Sequence, residues 1–163
     1  MSKWVIAMLN GGKYGANLEK ALFSPAVHKE LWTPQTIING GGARGALNSY
    51  GLGWNLTNIN GNFQASHTGG LSGIVTQVTI LPDLKLGIIV LTNQQSGAAF
   101  NAITSSIKDG YLNIKGMDRI KTYNDNRLRN EKQADEIVAK TWADISVAQK
   151  ANVAKPEVKN FYG

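Results

Sequence analysis

IVTQVTIL (Ile74–Leu81), PDLK (Pro82–Lys85) and LGIIVLT (Leu86–Thr92) run consecutively through the middle of this chain of 163 residues. The first stretch alternates two sets of side chains, Ile74, Thr76, Val78 and Ile80 against Val75, Gln77, Thr79 and Leu81, which is the period of a strand. Pro82-Asp83 has the chemistry of a turn. The third stretch is apolar on both of its faces, as a covered strand must be, and is expected to be central in its sheet. A connection this short cannot carry a parallel crossover, so the pair is antiparallel.

Working outward, Tyr50–Leu56 and Phe63–His67 read as two further strands around the turn formers Asn58, Asn60 and Gly61. The expected fold class is α+β: an antiparallel meander of about four strands packed by helices. Lys3–Asn10 has helical spacing, with Trp4, Ala7 and Met8 on one side and Gly11-Gly12 as its stop. Ser24-Pro25 opens a second helix, with Ser as N-cap and Pro in the first turn, and Thr33-Pro34 ends it. Gly40-Gly41-Gly42 is expected to fall in a mobile loop. Ala98–Ile114 places Ala99, Ile103, Ile107, Tyr111 and Ile114 on one stripe, expected to cover the sheet. Arg127–Ala151 is amphipathic with Ile137, Val138, Trp142 and Ile145 as its apolar side. Beyond Pro156, Val158–Gly163 reads as the start of another strand.

Composition removes several function classes. With no cysteine there are no disulfides, thiolate nucleophiles or thiolate metal sites. The net charge of +6 raises the question of nucleic acid, but its distribution answers against it. Between Gly40 and Ile107 only Arg44, Asp83 and Lys85 are charged, and the charges after Lys108 mix both signs. That is a solvated helix face, not a stripe that follows phosphates. No apolar run is long enough to span a membrane.

The densest chemical signal is Ser66-His67-Thr68-Gly69-Gly70-Leu71-Ser72-Gly73. Polar side chains followed by glycines allow close approach to the backbone. One reading is a glycine-rich hairpin loop with a surface histidine. The other is a strand edge that offers His67, Thr68 and free backbone N–H groups to a substrate carbonyl or carboxylate. His28 has no second ligand at metal spacing and is expected at the surface, and no metal or other cofactor is implied. The tryptophans are expected to pack in the core and on the sheet.

Tyr50-Gly-Leu-Gly-Trp54, then Ser66-His-Thr-Gly-Gly70, then Leu91-Thr-Asn93 occur in an order and spacing that resemble the serine beta-lactamase and penicillin-binding-protein-like family. That family includes class C beta-lactamases, D-alanyl-D-alanine carboxypeptidases and related esterases. Trp4–Gly11 and Leu22–Gln35 extend the likeness, which covers roughly residues 3 to 115 and corresponds to the C-terminal half of the family's domain. By this resemblance, His67-Thr68-Gly69 matches the family's third active-site motif in its His variant. His67 would supply a hydrogen-bonding or cationic group beside the nucleophile, Thr68 would bind substrate, and the Gly70 N–H would be an oxyanion donor. Gly69 would lack a side chain because substrate lies along the strand.

The resemblance also implies what is missing. The family's Ser-x-x-Lys nucleophile and its Tyr-x-Asn motif do not occur before His67; Tyr14-Gly-Ala-Asn17 has the wrong spacing. Ser105-Ser-Ile-Lys108 is the one Ser-x-x-Lys, and Ser105, two residues from Ile103 and Ile107, is expected to face solvent. The expectation is a serine-hydrolase fragment, acting in its parent on a beta-lactam, ester or D-alanyl peptide and inactive alone. Its divisions would be 1–115 as the C-terminal portion of the family domain, 116–155 as a helical linker and 156–163 as the start of a following beta-rich domain. Expected partners are a small-molecule or peptide substrate, the N-terminal half of the same domain, and a second copy through self-association. Parents of this family are usually periplasmic or extracellular. Two alternatives stay open: a sheet-edge binding module without catalysis, and an unrelated small α+β protein.

Overall fold

The computed structural model describes residues 1–39 and 48–151, with Glu157 and Tyr162. Gly40-Gly41-Gly42 and, Tyr162 aside, the expected strand at Val158–Gly163 lie outside the described residues. The chain divides into two units, Met1–Tyr123 and Asn124–Gly163.

The first unit opens with helix α1 (Ser2–Leu9) and a two-residue hairpin, β1 (Lys13–Tyr14) and β2 (Lys20–Ala21). Helix α2 (Pro25–Leu31) follows, and the Ser24 hydroxyl accepts from the Val27 N–H at 3.3 Å, the cap expected from Ser-Pro. Then come β3 (Thr36–Asn39), β4 (Asn48–Tyr50), β5 (Asn55–Ile59), β6 (Asn62–Leu71), β7 (Ile74–Leu81) and β8 (Leu86–Thr92), with helix α3 (Ala98–Tyr111) after them. The six longer strands form one antiparallel sheet in chain order, β3 to β8. The architecture is α+β and the meander is present, with six strands instead of four. Tyr50–Leu56 is not one strand: it is interrupted by a tight turn in which the Gly51 N–H bonds the Trp54 carbonyl at 2.8 Å. The β5–β6 turn is Asn60-Gly61, both with positive φ, the two-residue connection that matches strand twist.

β8 is not central. It is the outermost strand among the described residues. Its two apolar faces have another cause, since α3 covers one of them and α1 covers the other over Gly87, with Leu91 further along left exposed. On one face α1 lies so close that a Cβ at Gly87 would meet Val5 Cγ1 at 2.3 Å. On the other face Leu86, Ile88 and Val90 join Phe100 of α3, with Val75 and Leu81 of β7. The sheet is thus sandwiched, with Val5, Met8, Trp54, Leu56, Ala65, Val78 and Ile80 forming the second core on the α1 face.

α3 is rotated from the expected orientation. Its buried residues are Phe100, Ala102, Thr104 and Asp109, whereas Ile103, Ile107 and Tyr111 are 46%, 37% and 60% exposed. The sheet face beneath it carries Gln64 and Thr79, and Lys108 Nζ donates to Gln64 Oε1 at 2.9 Å. Polar matching there sets the rotation, and the longer apolar stripe faces outward.

Helix α4 (Arg119–Lys150) begins earlier than the amphipathic segment read from the sequence and is continuous for 32 residues. In the second unit its Ile137, Val138 and Trp142 are exposed. No helix among the described residues is long and apolar enough to cross a membrane.

Candidate functional site

β6 is ten residues long, but its two neighbours do not cover it equally. β7 pairs along Ala65–Leu71, while β5 pairs only up to Ser66, opposite Asn55. Among the described residues no strand therefore pairs with His67–Leu71 on the β5 side. The strand changes there from buried at Gln64 and Ala65 to exposed from His67 onward. This is a sheet margin made by one strand outlasting its partner, and its backbone groups are open to a ligand added as a strand.

Residues directly opposite in an antiparallel pair share a face. His67 stands opposite Val78, which stands opposite Ile89; Gly69 stands opposite Thr76, which stands opposite Leu91. His67 and Gly69 are thus on the α1 face, while Thr68 and Gly70 alternate to the α3 face. A cavity of about 540 Å³ opens on the α1 side, with His67, Thr68 and Gly69 at one wall and Trp4, Met8 and Trp54 at another. Such volumes are usual for small-molecule sites, roughly 300–1,000 Å³.

The imidazole is held. Tyr50 Oη lies 2.9 Å from His67 Nε2, and the two rings are 6.1 Å apart. Tyr50 ends β4, two strands away, and reaches His67 because β5 starts too late to intervene. Gly69 has a structural reason of its own: a Cβ there would meet Thr76 Oγ1 at 2.7 Å. Gly70 is unconfined, its nearest neighbour being Val75 Cγ1 at 4.0 Å.

The aromatic wall is built from distant parts of the chain. Trp4 of α1 stacks on Trp54 at 5.4 Å and 5°, and Trp32, after α2, meets Trp54 edge-on at 6.2 Å. His28 is partly buried instead of fully exposed at the surface. Its Nε2 lies 2.9 Å from the Met8 carbonyl oxygen and its ring is 4.3 Å from that of Trp32, so it ties α2 to α1.

Ser105 does not face solvent either. It is partly buried, and its Oγ lies 3.2 Å from the Tyr123 hydroxyl, a consequence of the rotation of α3. It is not in the wall of the cavity that holds His67. Nearby, Arg119 clamps Asp109 with two bonds, 2.6 and 2.9 Å. The Arg119 hydrogen bonds hold the Asp109 carboxyl below its usual range, and the same bonds raise the guanidinium. Burial pulls Lys108 below its ordinary value, helped by the Arg119 charge. This polar cluster meets the sheet at Gln64, on the face opposite His67. Among the described residues no three His, Cys, Asp or Glu are grouped to hold a metal.

Sequence reasoning named His67, Thr68, Gly69 and Gly70, and three of these four line the cavity. It missed Tyr50, which it used only as the first letter of a family marker, and it missed the Trp4–Trp54 wall. Both are contacts between residues far apart in sequence, with no local signal. A family model described as Beta-lactamase matches residues 1–109. No curated protein matches the chain.

Proposed function

Because the chain belongs to the beta-lactamase family, whose members are serine hydrolases, we propose that it forms one wall of an acyl-transfer site. The observation that carries this reading is the open margin of β6 at His67–Leu71 with a cavity against it. A substrate carbonyl laid along that margin has its oxygen at the backbone N–H of Gly70, one of two oxyanion donors, and its neighbouring polar group at Thr68. Gly69 leaves the strand surface flat. Attack by a serine hydroxyl, whose proton passes to the lysine of its own Ser-x-x-Lys segment and from there to the leaving group, forms the new C–O bond as the carbonyl electrons move onto oxygen, where the N–H groups stabilise them. Collapse of that intermediate expels the leaving group and gives the acyl-enzyme, which water then hydrolyses. His67, oriented by Tyr50, supplies a hydrogen-bonding group beside the nucleophile. The substrate is a beta-lactam, an ester or a D-alanyl peptide.

Neither Ser-x-x-Lys nor Tyr-x-Asn precedes His67. In this reading the attacking oxygen comes from a Ser-x-x-Lys segment outside the sequence, and the chain by itself is inactive; losing a nucleophile removes most of the rate in such systems. Nitrocefin and p-nitrophenyl ester assays on the chain alone are expected to read background. Turnover is expected to appear when a Ser-x-x-Lys-bearing segment of this family is added. Turnover by the chain alone that disappears in Ser105→Ala would refute the proposal.

One observation favours a second reading, a sheet-edge binding module that pairs with a second copy. β8 has no partner on its outer side among the described residues, and its seven residues include no charge and no proline. Natural edges are usually protected by such residues. A strictly monomeric chain in size-exclusion chromatography with light scattering would exclude this reading.

A further inference from the structure

The cavity beside His67 has a character that the catalytic reading does not require. Its walls away from β6 are apolar: Trp4, Met8, Phe23, Leu31, Leu52 and Trp54. Trp54 is almost fully buried, and the parallel stack of Trp4 upon it makes a flat, rigid side to the cavity. No Lys, Arg, Asp or Glu side chain is among the lining residues. The Arg119–Asp109 ion pair belongs to the α3 side of the sheet. The polar residues of the sheet side are His67 and Thr68 of β6 and Thr76 of β7, and His67 Nε2 is already engaged by Tyr50.

A carboxylate brought into such a cavity loses water and meets no Lys or Arg side chain, which is costly. An uncharged carbonyl carrying an aliphatic or aromatic arm loses little: the arm gains apolar burial and the carbonyl keeps its hydrogen bonds at the strand margin. We propose that this site takes neutral acyl compounds, with the carbonyl at the open margin of β6 beside His67 and the apolar arm between Trp4, Leu52 and Trp54, and that it rejects ligands whose carboxylate would enter that cavity. The assignment rests on β6 being the substrate wall, and it selects a neutral ester or amide over an anionic beta-lactam or a peptide carboxylate.

Binding can be measured without turnover. Octanamide, octanoate and acetamide, titrated into the full chain and followed by tryptophan emission and calorimetry, separate charge from arm length. Octanamide is expected to perturb the emission of Trp4 and Trp54 and to bind at least tenfold more tightly than either of the others. Leu52 is half exposed and tolerates replacement; Leu52→Asp is expected to weaken octanamide at least tenfold with unchanged circular dichroism. Equal or tighter octanoate binding, or an unaffected Leu52→Asp, would overturn the neutral-arm assignment while leaving the catalytic wall in place. Octanamide binding that is lost in Leu52→Asp but identical in His67→Ala would instead overturn the position of the carbonyl, and the wall reading with it.

Discussion

Replacing Gly87 by Ala tests the packing that places the aromatic wall. The new Cβ would lie 2.3 Å from Val5 Cγ1, against roughly 3.5–4.0 Å for carbon atoms at their optimum. Val5 is buried on α1, so the helix must retreat from β8, and a forced insertion of this kind costs about 1–3 kcal/mol. For a chain of this length that is a fall in Tm of roughly 2–12 °C. Val5→Ala alone removes two buried methyl groups and is expected to cost about 1.6 kcal/mol. The two changes together relieve each other, because the remaining Val5 Cβ stands 3.7 Å from the new Cβ, an ordinary contact. The double variant is therefore expected to be more stable than the sum of the singles by about 1–3 kcal/mol, measured by urea and thermal unfolding. Trp4 rides on α1, so Gly87→Ala is also expected to shift tryptophan emission and the double variant to restore it. A neutral Gly87→Ala, or a double variant equal to the sum, would refute the packing of α1 on β8.

The Asp109 carboxyl is held low by Arg119, so its contribution to stability is present above the ordinary carboxylate pKa and is lost as pH falls through the lowered folded value. Asp109→Asn is expected to cost about 1.5–3 kcal/mol at neutral pH and to flatten that acid limb in urea melts at stepped pH. Lys108 is shifted the other way for stability: its folded pKa is lowered, so the unfolded chain binds more protons between that value and the ordinary 10.5, and stability rises with pH there. Lys108→Gln is expected to abolish the rise. Tyr50→Phe is expected to change the ¹⁵N shift of His67 Nε2 by breaking the 2.9 Å bond, at a stability cost of about 1 kcal/mol or less; an unchanged imidazole spectrum would show that the bond does not form in solution.

The pair β7–β8 was legible because alternation, Pro82-Asp83 and short spacing all point to one answer. β3 escaped because Thr36–Asn39 is only four residues beside a glycine-rich stretch. β8 was misplaced because apolarity on two faces reports coverage, and helices cover as well as flanking strands do. α3 was turned the wrong way for a related reason: Ile103, Ile107 and Tyr111 make the stronger stripe, yet Lys108 and Gln64 must find partners and decide the rotation. At the site, the run of polar residues into glycines marked His67–Gly70 locally. Tyr50, 17 residues away, and the stack of Trp4 on Trp54 come together only once the sheet and helices are assembled.

The Tyr50–His67 contact joins a hydroxyl, which can give or take a hydrogen, to a ring nitrogen that can do the same. If the phenol gives, the ring carries its hydrogen on Nδ1 and offers a donor there; if the phenol takes, Nδ1 presents a lone pair. Passage of the ring hydrogen from one nitrogen to the other, with the O–H turning to match and no heavy atom displaced, thus exchanges a donor for an acceptor at Nδ1 of the same imidazole.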